Sequence, residues 1–191
     1  MKALVFLAPG FEEVEAMTVV DFLKRCGVDV TLAGLKEKIV KGSHGVKVVP
    51  DEFIEKVRIG GYDAVICPGG SPGWENLRRD KRVIGMVKRA HADGKLVAAI
   101  CGGPATLSDA GVLRGKRCTI YPGLEGELKK GGGKPERGIV VVDGNLITSM
   151  GPATALAFAH AIAEKLVGKK KAGEVAERML VSEEAKLRSM P

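Results

Sequence analysis

Short, wholly apolar runs alternate along this chain with longer amphipathic stretches, and most of the runs stop at a turn built from glycine and proline. A strand covered on both faces reads as a continuous apolar run rather than an in–out alternation. Runs of that kind separated by helical periodicity give a mostly parallel sheet with helices on both faces. Lys2–Ala8 reads as the first strand and Phe11–Cys26 as a helix closed by Gly27, followed by a second strand over Val28–Gly34. Ile39–Val49 reads as a hairpin around Gly42-Ser43-His44-Gly45, and Asp63–Cys67 as a core strand ended by Pro68-Gly69-Gly70. A helix over Glu75–Asp93 leads into the strand Lys95–Ile100, then Cys101-Gly102-Gly103-Pro104 and a short helix to Ala110. Further strands are expected at Arg117–Ile120 and, as a hairpin across Asp143-Gly144-Asn145, at Gly138–Val142 and Leu146–Ser149. Helices over Pro152–Val167 and Ala172–Arg188 complete the chain, with no linker or repeat, so residues 1–191 read as one α/β domain.

Composition narrows the function classes. No apolar run approaches the ~18 residues that cross a bilayer, and the first residues lack a signal-peptide pattern, so a cytoplasmic protein is expected. The net charge of +7 is scattered, and one Trp, two Tyr and five Phe leave little for base stacking, which argues against nucleic acid as partner. The chain has no glutamine and only Asn76 and Asn145 as asparagines, a depletion typical of heat-adapted proteins. Cys26, Cys67, Cys101 and Cys118 form no CxxC and no zinc-spaced cluster, so no metal is expected and free thiols are favoured, although a heat-adapted chain leaves a disulfide open. No GxGxxG or GxxxxGK[ST] string supports a nucleotide.

Two residues stand out. Cys101 falls where a buried strand turns into a helix, with Ala99 and Gly103 two places either side, the small neighbours that a strained nucleophile elbow requires. The helix N-terminus behind it is expected to favour thiolate, and the Gly102 amide to face a developing oxyanion. Glu15 lies within ~40° of Phe11, Val19, Phe22 and Cys26 on a helical wheel, a costly place for a lone carboxylate. A protonated Glu15 facing Cys101 would serve as hydrogen-bond donor or proton shuttle. Glu12 is explained by capping, and Glu13 is expected to point outward. His91 and His160 read as surface or packing residues, whereas His44 remains open as a partner for Cys101 by folding or across a subunit interface. Tyr121 is expected level with Cys101, orienting a carbonyl or water, or packing under its loop.

The strings Leu7–Glu15, Pro68-Gly69-Gly70, Ala98–Ala105 and Thr148–Pro152, in this order and spacing, resemble the ThiJ/PfpI superfamily, nearest its DJ-one branch. The resemblance spans Lys2 to about Gly168. It implies a flavodoxin-like three-layer α/β sandwich, as in class I glutamine amidotransferases, that forms homodimers partly through the first helix. It makes Cys101 the nucleophile, Glu15 its protonated partner, and the amides of Gly70 and Gly102 an oxyanion hole, with Gly69 and Gly103 beside them at the substrate. Asp21 matches an aspartate that reaches across the dimer toward a site histidine. Gly102 stands where PfpI peptidases carry histidine, and Tyr121 where the DJ-one branch carries its site histidine. What the resemblance implies is a cofactor-free enzyme acting on 2-oxoaldehydes or glycated proteins. The alternatives are an intracellular cysteine peptidase, a glutaminase lacking its His-x-Glu string, and an oxidation sensor or chaperone built on Cys101.

Overall fold

A computed structural model of the chain describes residues 1–181. In chain order the elements are β1 (Lys2–Leu7), α1 (Glu13–Arg25), β2 (Asp29–Gly34), β3 (Val40–Lys41), β4 (Lys47–Val48), β5 (Glu52–Phe53), β6 (Ala64–Cys67), α2 (Gly73–Arg79) and α3 (Lys81–Ala92). They continue as β7 (Leu96–Ile100), α4 (Pro104–Asp109), β8 (Arg117–Cys118), α5 (Glu125–Lys130), β9 (Lys134–Pro135), β10 (Val140–Asp143), β11 (Leu146–Ser149), α6 (Ala155–Val167) and α7 (Lys169–Arg178). Seven strands form one sheet in the order β10-β11-β7-β6-β1-β2-β5, parallel throughout except where β10 runs against β11.

Period-two alternation along the strands divides two cores. Ala3, Val5 and Leu7 of β1 join Phe22 of α1, Phe158 and Ile162 of α6 and Val175 of α7 on one face. Leu4, Phe6 and Ala8 join Leu77, Val83, Val87, Leu107 and Leu128 of α2 to α5 on the other. Residues such as Phe22 and Phe158, 0% exposed, each contribute about 1.5–3 kcal/mol relative to leaving them in water. This is the expected flavodoxin-like sandwich. The chain winds from β1 to β2 on one side and through β6 and β7 on the other, so the order reverses between β1 and β6. Ligands of open α/β sheets bind at the carboxyl ends of the strands flanking such a reversal. Among the described residues no helix is long and apolar enough to cross a membrane.

Several boundaries differ from the sequence expectation. The helix expected over Glu75–Asp93 is two helices, because Asp80 is extended (φ −84°, ψ 111°) and its side chain accepts from the Arg82 amide at 2.9 Å to cap α3. The strand expected over Arg117–Ile120 is confined to Arg117–Cys118 and pairs with β9 outside the main sheet. β5 and α5 were not expected; two residues of strand and one and a half turns of helix carry too little periodicity to register. α1 starts at Glu13 rather than Phe11, since Gly10 (φ +84°) turns the chain and Glu12 caps the helix. α7 begins at Lys169 and ends at Arg178, and the expected stretch beyond residue 181 lies outside the described residues.

Candidate active site

Cys101 follows β7 directly and has φ +60°, a left-handed conformation rare for a residue with a side chain. Strain of this kind, on the order of 1–3 kcal/mol, persists only where neighbours enforce it. Here the Cys101 amide donates to the Ser149 carbonyl at 3.0 Å, the Cys101 carbonyl accepts from the Tyr121 amide at 3.0 Å, and the Gly103 amide donates to the Ile100 carbonyl at 2.9 Å. Gly103 must be small: a Cβ there would fall 2.3 Å from the Cys67 carbonyl oxygen. The expected elbow is present, including the small residue two places on.

Glu15 is 0% exposed. Its Oε2 accepts from the Gly69 amide at 2.8 Å, its own amide donates to Glu12 Oε2 at 2.7 Å, and its Oε1 finds no hydrogen-bond partner among the described residues. Burial pushes the carboxyl up to about 7, against the lowering pull of the Gly69 amide and of Cys101. Gly69 packs into the angle between the two groups; a Cβ on it would lie 2.8 Å from Glu15 Oε2 and 2.9 Å from Cys101 Sγ. Gly70 (φ +86°) is equally constrained, with a built Cβ 2.3 Å from the Glu12 nitrogen. The amides of Gly70 and Gly102 favour the anionic form of the sulfur.

The thiol is not acidic in this setting, contrary to the expectation from a helix N-terminus. Burial first, and the Glu15 carboxylate second, push it up to about 12, and the Gly70 and Gly102 amides only partly offset them. α4 has just six residues and too small a dipole to prevail. The physical unit is therefore the pair. A proton on Glu15 removes the carboxylate's part of that upward push and leaves the larger part, which comes from burial.

Tyr121 is 49% exposed and borders, with Cys101, Gly102 and Trp74, a cavity of about 400 Å³. The other two predicted residues lie elsewhere. Asp21 pairs with Arg25 at 2.7 Å on an exposed part of α1. His44 bonds Glu13 Oε2 at 3.0 Å and Ser43 Oγ at 3.1 Å, and no hydrogen bond joins either residue to Cys101. His160 stacks edge-on against Phe22 at 5.8 Å.

Glu13 corrects the sequence reading: it is buried, not outward-facing, because the β3–β4 hairpin folds over the start of α1. Both its oxygens are taken, by the amides of His44 (2.8 Å) and Val46 (3.3 Å) and by the Ser43 hydroxyl and His44 ring. Glu12, Glu13 and His44 bring three metal-ligand atoms within 4.8 Å, but with the Glu13 oxygens so occupied the group serves as a loop anchor. Trp74 was missed altogether. Its ring fills the space above Gly102, where a Cβ would meet indole Cγ at 2.5 Å. The one signal was a lone tryptophan entering a helix just after Pro68-Gly69-Gly70. All four cysteines are free thiols.

A sequence profile of the DJ-1/PfpI family matches residues 1–165. The chain is 42% identical over 182 residues to Protein dj-1beta of Drosophila melanogaster, covering 95% of this chain and 97% of that protein. It is 38% identical over 152 residues to a deglycase of Pyrococcus abyssi, covering 80% of this chain and 91% of that one. Among solved structures, oxidised DJ-1 from Toxoplasma gondii has a TM-score of 0.88 and 36% identity, covering 94% of this chain and 97% of its own.

Proposed function

The chain belongs to the DJ-1/PfpI family, and on that premise we propose that it is a cofactor-independent cysteine enzyme of the deglycase type, acting on 2-oxoaldehydes such as methylglyoxal or on their adducts with proteins. The observation that carries this reading is the buried Glu15 carboxyl, close to neutrality in its pKa, packed with Gly69 against the strained Cys101. Such a pair supplies a nucleophile and a proton shuttle at one place. The sulfur adds to the aldehyde carbon, and the new hydroxyl of the hemithioacetal takes its proton from the pair. The hydrogen on the former aldehyde carbon then leaves as a proton to the Glu15 carboxylate and returns to the adjacent carbon. The hydroxyl on the first carbon gives its proton to the ketone oxygen, so the first carbon is oxidised to a thioester and the second reduced to an alcohol. Water attacks the thioester, the C–S bond breaks, and a 2-hydroxy acid leaves with the thiol restored. No external oxidant or reductant is consumed. The Gly70 and Gly102 amides would stabilise the oxyanion at each addition.

Purified protein in a metal-free assay is expected to form lactate from methylglyoxal, with activity lost in Cys101→Ser. Absence of lactate from the wild-type protein would count against the assignment. Peptidase chemistry ranks lower, since among the described residues no imidazole hydrogen-bonds Cys101, and Trp74 fills the space above Gly102 where a local base would begin. A sensor role shares the same residues: the two amides and a protonated Glu15 would stabilise a sulfinate on Cys101. Selective addition of two oxygens there under mild peroxide, with no aldehyde turnover, would favour that role. Two copies are proposed to associate through α1 and the adjoining hairpin, where Val14, Val46 and Val49 are at least half exposed; a strict monomer by light scattering would remove that claim. Four free thiols fit a reducing compartment such as the cytoplasm.

A further inference from the structure

The cavity beside Cys101 has one wall that the proposed chemistry leaves without a role. Trp74, the chain's single tryptophan, borders it together with Tyr121 and Leu124. Two neighbours hold the ring. Arg78, one turn further along α2, lies 5.4 Å from the ring centroid. That guanidinium is itself tied to Asp109 at 2.6 and 2.8 Å and to Glu127 at 2.9 Å, so α2, α4 and α5 are joined behind the indole. On the cavity floor the ring fills the space in which a side chain at position 102 would begin. A bare glycine after the nucleophile and an indole at 74 are thus one coupled choice, which puts an apolar wall beside the thiol in place of a side chain. Among the described residues, no Lys, Arg, Asp or Glu side chain lines this cavity.

A substrate carrying a carboxylate would find no cation here, and a methyl group alone would leave most of about 400 Å³ unfilled. An aromatic or bulky apolar group would lie against Trp74 while its aldehyde carbon reached Sγ. Because the ring is already fixed, little ordering entropy opposes that contact. We propose that Trp74 makes this site selective for uncharged 2-oxoaldehydes with an aromatic or bulky apolar substituent over methylglyoxal. The inference rests on the reading of Cys101 as a nucleophile toward aldehydes.

The test compares phenylglyoxal with methylglyoxal. The wild-type kcat/KM should favour phenylglyoxal, and in Trp74→Ala the ratio should fall about five- to tenfold, the range of one aromatic contact. Trp74→Phe, which keeps an apolar ring, should retain most of the preference, and the melting temperature reports on folding of each variant. Turnover of both aldehydes with a ratio unmoved by Trp74→Ala overturns the inference and leaves the enzymatic reading standing. Turnover of neither removes that reading, and binding then decides the role of Trp74 by itself. In Cys101→Ser the emission of Trp74 should respond to acetophenone at about tenfold lower concentration than to acetone; equal half-saturation overturns the proposal.

Discussion

Glu15 is wholly buried, and burial lifts its carboxyl to about 7, while Cys101 beside it is lifted to about 12. Near neutral pH the pair therefore sheds its first proton and keeps its second. The remaining proton can sit on oxygen, leaving the sulfur anionic, without exporting charge to solvent. Alkylation of Cys101 by iodoacetamide is accordingly expected to rise through pH 7. In Glu15→Gln that step should vanish, with the rise shifting to higher pH, because the thiol then ionises against burial with no neighbouring base. Turnover in the same variant should fall about 100-fold or more, the usual range for loss of a general acid–base. Identical pH profiles for the two proteins would show that Glu15 does not share a proton with the sulfur.

The elements around the site are held by short polar caps as well as by apolar faces. Asp80 ends α2 and caps α3, and it also pairs with Arg82. Asp80→Ala is expected to cost about 1 kcal/mol, lowering the Tm by roughly 2–4 °C for a chain of this size, with turnover unchanged because Asp80 does not line the cavity beside Cys101. Glu13 plays the corresponding part for the β3–β4 hairpin, which covers the start of the helix bearing Glu15. Glu13→Gln should cost about 1.5–3 kcal/mol, the worth of hydrogen bonds to a charged group. Hydrogen exchange at the Ser43, His44 and Val46 amides should accelerate. Unaltered exchange there would mean the hairpin is held by other contacts.

Across the whole molecule these two buried acids impose opposite pH dependences on folding. Burial by itself would raise the Glu13 carboxyl, but its bonds to His44 and Val46 win and hold it at about 2, below the ordinary 4.5. Its contribution is present above pH 4.5 and is lost as pH falls toward 2. Glu15 is raised from 4.5 to about 7, so the folded state binds the extra proton and stability declines as pH rises from 4.5 through 7. Relative to wild type, Glu15→Gln should gain stability across that interval, on the order of 3 kcal/mol at its upper end, and the gain should level off above it. The stability advantage of wild type over Glu13→Gln should instead shrink below pH 4.5. Chemical denaturation at a series of pH values separates the two, and parallel curves for wild type and Glu15→Gln would contradict the assignment of a buried, proton-bearing carboxyl.

The β–α alternation, the strand-end glycines and the elbow at Cys101 were legible in the sequence because each follows from local chemistry. Apolar runs must be covered on both faces, glycines are needed where backbones nearly touch, and only small neighbours let a cysteine turn at φ +60°. The anomaly of Glu15 was legible for the same reason, since helical periodicity alone puts it on an apolar face. Three features that depend on segments distant in the chain were not. Glu13 became buried when a hairpin some 30 residues on closed over it, and the thiol's proton affinity was set by burial and by Glu15 rather than by the short helix that follows it. Trp74 gained its place over Gly102 from the packing of the loop after β6 against the loop after β7. Periodicity and turn chemistry report which residues must be covered; only the tertiary structure decides what covers them, and with it the polarity of the space in front of the sulfur.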